Sequence, residues 1–308
     1  MRTDFYYDSM GGGKLHGCRW TPEGQPKAIV QIVHGIAEYV ERYDDFANYL
    51  TGHGILVVAE DHMGHGKSIT EEAPQGYFNS GWFAAVEDTF RLYRNTHKEF
   101  PEVPYVLFGH SMGSFMARTI LAKYPDAELA GAVICGTGWM PTAVVQAGKL
   151  MAGMICKRNG KRNPSPQLQS MMFGSYNKKV EHPRTASDWL SRDPKIVDTY
   201  EADRLCGFIP SAGLVRDMME GILYIQDKKN LDNMNKNLPV LFIAGGDDPV
   251  GDYGKGVTRA VAEFRKHGMK DVSHRIYPLC RHEILNELNK KDVYRDVLKW
   301  IKSAILDK

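Results

Sequence analysis

Short apolar runs recur along the chain, separated by longer stretches in which apolar residues return every three or four positions. The runs at 27–33, 54–59, 105–108, 129–135 and 240–244 are aliphatic and β-branched without polar alternation, the pattern of strands covered on both faces. Between them, 43–52, 82–100, 114–124, 254–267 and 292–306 have helical spacing. Buried strands joined by helix-length segments predict a mostly parallel central sheet flanked by helices. From 140 to 231 the alternation stops. Met, aromatic and basic residues fill that stretch without a clear buried strand, so a helical insertion is expected there, interrupting a core made of 1–139 and 232–308.

Composition narrows the function classes. The chain has 308 residues, 43% hydrophobic and 25% charged, enough to bury a core without metals or disulfides. A formal charge of +2 argues against nucleic acid as a partner and favours small or neutral substrates. Five cysteines, an odd count with no CxxC pair, point to free thiols in a reducing compartment, and hence the cytoplasm. The first thirty residues lack a basic start followed by an apolar run, so neither a secretory leader nor a membrane span is expected.

Chemistry enters at Gly109-His110-Ser111-Met112-Gly113. A GxSxG match alone is weak, but here an apolar strand runs into it and a good helix follows, the strand-to-helix elbow that exposes a serine nucleophile. A lone serine is a poor nucleophile and needs a base and a group to orient that base. His282 is the candidate base, because it follows the strand-like run 274–279 on a loop. The run 243–250 ends a buried strand in two adjacent carboxylates, Asp247 and Asp248, either of which could accept the imidazole N–H. The order serine, acid, histidine is that of the elbow-containing hydrolases. Negative charge on a tetrahedral intermediate also needs aimed donors. Gly35 permits a turn that would present the Ile36 N–H, and the Met112 N–H follows the nucleophile; His34 is expected to be structural. His62 and His65 lie in a glycine-bent loop without metal-ligand spacing, so no metal and no cofactor are expected.

Together, His34-Gly35 with Glu38 and Arg42-Tyr43, the run 61–68, Gly109 to Gly113, Gly245 to Val250 and His282-Glu283 resemble the monoacylglycerol lipase and lysophospholipase group of α/β-hydrolases, nearly end to end. The resemblance implies the α/β-hydrolase fold, a Ser111, Asp248 and His282 triad, and Ile36 and Met112 amides as oxyanion donors. Asp248 is preferred over Asp247 because the G-x-x-D-P-V pattern of the group begins at Gly245. The insertion takes the role of a cap, in which Trp189 falls within a cap-like segment and is a candidate substrate contact. The stretch 140–156 reads as a helix apolar around most of its circumference. It packs on the core or other cap helices, or it forms an acyl tunnel wall or a transient lipid-surface contact aided by nearby Lys and Arg; Leu150 and Met154 are its candidate substrate contacts. The expected activity is hydrolysis of single-chain acyl esters, such as monoacylglycerols or lysophospholipids, through an acyl-enzyme. An aminopeptidase or amidase with the same triad is the alternative, and a non-catalytic binding module is disfavoured by having every catalytic element present.

Overall fold

A computed structural model describes residues 1–307. In chain order the elements are β1 (Arg2–Asp8), β2 (Lys14–Trp20), β3 (Ala28–Val33), α1 (Asp44–Thr51), β4 (Ile55–Glu60), α2 (Trp82–Glu99), β5 (Tyr105–His110), α3 (Met112–Lys123) and β6 (Gly131–Cys135). The insertion follows with α4 (Thr142–Asn159), α5 (Pro166–Phe173), α6 (Pro194–Ala202), α7 (Ala212–Gln226) and α8 (Lys228–Asn233). The chain then closes with β7 (Val240–Gly245), α9 (Lys255–Lys266), β8 (Val272–Tyr277) and α10 (Lys290–Ile301).

The strands form one sheet in the order β1-β2-β4-β3-β5-β6-β7-β8. All neighbours from β4 to β8 are parallel, whereas β1 and β2 form an antiparallel hairpin on one edge. Period-two alternation explains why the strands read as unbroken apolar runs. In β5, Tyr105 and Leu107 join the cluster containing Trp82, Met116, Ile120 and Phe264, while Val106 and Phe108 join Phe46, Leu50, Val297 and Ile301 on the other face. Both sets are buried.

The predicted strands and helices all form, with ends shifted by a few residues. Two differences have physical reasons. The β1–β2 hairpin was not expected, because β1 is largely exposed and polar and β2 carries Gly17, His16 and Arg19. The last helix stops at Ile301, where the spiral widens into a π-type turn over Lys302–Leu306.

The insertion is layered. Helix α4 packs on α7, which packs in turn on α2 and α3 of the core. Its two ends are stapled where the Met140 N–H donates to Gln226 Oε1 at 3.1 Å and Gln226 Nε2 donates to the Met140 carbonyl at 2.9 Å. Among the described residues, no helix is long and apolar enough to cross a membrane.

Candidate active site

At the end of β5 the backbone turns so tightly that Ser111 adopts φ 53°, ψ −122° before α3 begins. That conformation is strained for a residue with a Cβ and costs ~1–3 kcal/mol. The turn requires its flanking glycines. A Cβ on Gly109 would lie 2.4 Å from the Gly113 carbonyl oxygen, and one on Gly113 would lie 2.0 Å from that of Val33. Met112 opens α3, so its amide is one of the first-turn N–H groups with no intrahelical acceptor, at the electropositive helix end. Gly35 is also close; its Cβ would stand 3.0 Å from the Ser111 Cβ, which sets the 35–37 turn and Ile36 beside the nucleophile.

His282 and Asp248 arrive from loops after β8 and β7. His282 Nδ1 lies 3.0 Å from Asp248 Oδ1, with both side chains buried. Asp248 Oδ1 also accepts the Val250 N–H at 2.8 Å, which fixes the carboxylate. Asp247 is exposed and its N–H donates to the Cys280 carbonyl. Of the two adjacent acids, only Asp248 is brought to the imidazole. Ser111 and His282, together with Ile36 and Met112, line one cavity of about 980 Å³ between the sheet's C-terminal edge and the insertion.

Behind the serine lies a buried charge cluster. Glu38 accepts from the Gly35 N–H (2.6 Å), the Tyr43 hydroxyl (3.0 Å) and an Arg42 guanidinium N–H (3.1 Å), and lies 2.9 Å from His110 Nδ1. Arg42 also forks onto Glu283 at 2.6 and 2.7 Å. Burial pushes the Glu38 carboxyl upward, but His110 and Arg42 outweigh it and hold the acid well below its ordinary value. Burial pulls His110 down, and Glu38 reverses that, raising it. The His110 and His282 rings are 4.9 Å apart, so this hydrogen-bonded cluster lies directly against the candidate base. The resemblance drew attention to Glu38, Arg42, Tyr43 and Glu283, but His110 was missed; its only signal was its place beside Ser111.

The three residues expected to touch substrate divide. Trp189 lines the cavity, its ring 5.1 Å from that of His282, and its carbonyl accepts the His282 N–H at 3.3 Å. Leu150 and Met154 do not reach the cavity; they are 70% and 64% exposed on the outer side of α4. The expectation of these two as substrate contacts is not met at the cavity: α4 turns Val145 and Ala152 inward and borders the cavity with Val144, Ala147, Gly148 and Met151. A helix that is apolar all round need not be covered all round. The histidines of the glycine-bent loop pack on His34, whose ring lies 4.0 Å from His62 and 5.3 Å from His65. Burial pushes His34 well down and His65 to about 4, which disfavours charge on these two rings.

The monoacylglycerol lipase of Mycolicibacterium smegmatis is 28% identical, over 99% of this chain and 98% of its own length. The Homo sapiens monoglyceride lipase is 28% identical over 94% of this chain and 87% of its own. Among solved structures, a thermostable carboxyl esterase from Bacillus coagulans in complex with glycerol superposes with a TM-score of 0.91 at 28% identity, covering 98% of both chains. A soluble variant of the Saccharomyces cerevisiae monoglyceride lipase, at 17% identity and TM-score 0.80 over 99% of this chain and 95% of that one, shares the fold. The serine aminopeptidase, S33, family matches residues 24–289, most of the chain and every element around the cavity, and the protein is therefore a member of that family and a hydrolase with the α/β-hydrolase fold.

Proposed function

We propose that the protein is a serine ester hydrolase acting on single-chain acyl esters, with 140–231 as its cap and monoacylglycerols as the best-fitting class. The observation that carries this reading is the cavity reaching Ser111, walled by Phe115, Met140, Val145, Met151, Met218 and Ile222. Its volume is at the upper end for small-molecule sites, and flexible methionines suit a variable chain. In the proposed reaction, the Ser111 hydroxyl attacks the acyl carbonyl as His282 takes its proton. Asp248 holds the imidazole and stabilises the imidazolium. The Ile36 and Met112 amides receive the developing oxyanion. The alcohol leaves with the proton from His282, and water then frees the acid by the same steps in reverse order.

The headgroup follows from charge. No described lining residue is lysine or arginine; of the lining carboxylates, Glu38 and Glu283 pair with His110 and Arg42, and Asp252 is a third. A phosphate would find no counter-charge, so a neutral polyol ester fits better than a lysophospholipid. Five free thiols, four of them buried, fit a reducing compartment such as the cytoplasm.

The test is kcat/KM on acyl esters of increasing length, with a monoacylglycerol, a lysophospholipid, a triacylglycerol and an aminoacyl amide in parallel. Efficiency should rise with each added methylene, worth about 0.8 kcal/mol when buried, until the cavity is full. A steady decline from acetyl esters upward would remove the acyl-chain reading, and faster amide cleavage would establish the peptidase alternative.

A further inference from the structure

The edge hairpin holds a set of groups that the ester chemistry does not use. His16 and Cys18 are two apart on β2 and so share a face, and Asp4 of β1 is the direct cross-strand partner of Cys18. All three side chains therefore meet. His16 Nε2 lies 3.2 Å from Asp4 Oδ2, Cys18 Sγ 3.5 Å from Asp4 Oδ1, and Cys18 Sγ 3.8 Å from His16 Nε2. The edges of a tetrahedron with nitrogen, oxygen and sulfur ligands roughly 2.0–2.3 Å from a zinc ion are ~3.3–3.8 Å. One donor atom from each of the three residues lies within 4.8 Å of the others, so a small rotation of the Asp4 carboxylate brings a single oxygen to that spacing.

The surroundings fit as well. His16 Nδ1 lies 2.8 Å from Asp61 Oδ2, deep in the core, which fixes the ring and turns Nε2 toward the cluster, as a carboxylate behind a metal-bound histidine does. Asp61 is itself anchored by the Val40 and Lys67 N–H groups, each at 2.9 Å. His16 and Cys18 are buried, whereas the Asp4 side chain is 34% exposed, leaving an entry path and room for a water ligand. Two cations stand near Asp4, Lys67 at 3.2 Å and Arg2 at 3.7 Å, but Glu41 and Asp44 pair with them at 2.7 Å.

We propose that Asp4, His16 and Cys18 form a divalent transition-metal site, with Zn²⁺ as the best-matched ion and water as its fourth ligand. Binding displaces the Cys18 thiol proton, and any proton on His16 Nε2, to solvent; no electron is transferred. The ion ties β1 to β2 far from Ser111, so its role is structural.

Full-length protein stripped with a chelator would be titrated with Co²⁺ and then competed with Zn²⁺. One equivalent of Co²⁺ should produce a thiolate-to-cobalt absorption band that Zn²⁺ abolishes, and Zn²⁺ should raise the melting temperature. Cys18→Ser should remove the band, Cys156→Ser should leave it, and Asp4→Asn, at the solvent edge where folding is safe, should weaken binding at least about tenfold. No band at one equivalent, or a band undiminished in Cys18→Ser or Asp4→Asn, would overturn the assignment.

Discussion

At Ser111 the strained backbone separates stability from activity. Ser111→Ala keeps the strain and removes the hydroxyl, so it should fold with an unchanged melting temperature and lose nearly all esterase turnover. Ser111→Gly removes both. It should be equally inactive yet more stable than the alanine variant by about 1 kcal/mol, since glycine accepts positive φ; equal stabilities in a denaturant titration would show that the turn stores no strain. The neighbouring acids offer a second contrast. Asp248→Asn should lower kcat by about 10⁴ through loss of tautomer control, whereas Asp247→Asn, on an exposed side chain, should stay close to wild type. Steady-state kinetics on a soluble p-nitrophenyl ester distinguishes them directly.

Helix α4 presents Leu150 and Met154 to solvent away from the cavity, with Lys157 and Arg158 in its last turn. An apolar strip beside cations suits transient seating on a lipid surface, which would deliver single-chain esters to the cavity below. The double variant Leu150→Glu with Met154→Glu should reduce binding to anionic phospholipid vesicles about tenfold or more while leaving turnover of a short soluble ester unchanged. Equal vesicle binding would exclude this helix as the contact. The correction at these two residues and this prediction share one cause: helical periodicity gives the spacing of apolar positions, but the neighbours decide which stripe is covered.

Across the whole molecule, the Glu38–His110 pair couples stability to pH. Folding raises His110 above its ordinary 6.5, so its contribution is complete below about 6.5 and fades as pH rises through the higher folded value. Glu38 is depressed from 4.5, so its contribution is complete above about 4.5 and is lost as pH falls toward the lower folded value. The pair is therefore fully effective between those ordinary values. His110→Gln should cost roughly 3 kcal/mol near pH 6, with the gap to wild type narrowing as pH rises well above that. A gap independent of pH would mean that His110 contributes packing and not charge.

The buried strands, their helices and the serine elbow were legible because each rests on a local rule: unbroken apolar runs between helical spacings, and glycines where backbones cross. The family resemblance singled out Asp248, the acid that lies against His282. What the linear chain did not contain was distance. The edge hairpin escaped because a half-exposed strand lacks the apolar run that marks a buried one, and with it went the meeting of Asp4, His16 and Cys18, which depends on strand register. His110 gained a partner only when the 35–43 turn folded back over β5. The covered face of α4 was set by α7, more than fifty residues later in the chain. Local propensity and apolar periodicity act within one element and can be read along the sequence; charge pairing, ligand spacing and the choice of buried face depend on separations that exist only after distant elements pack.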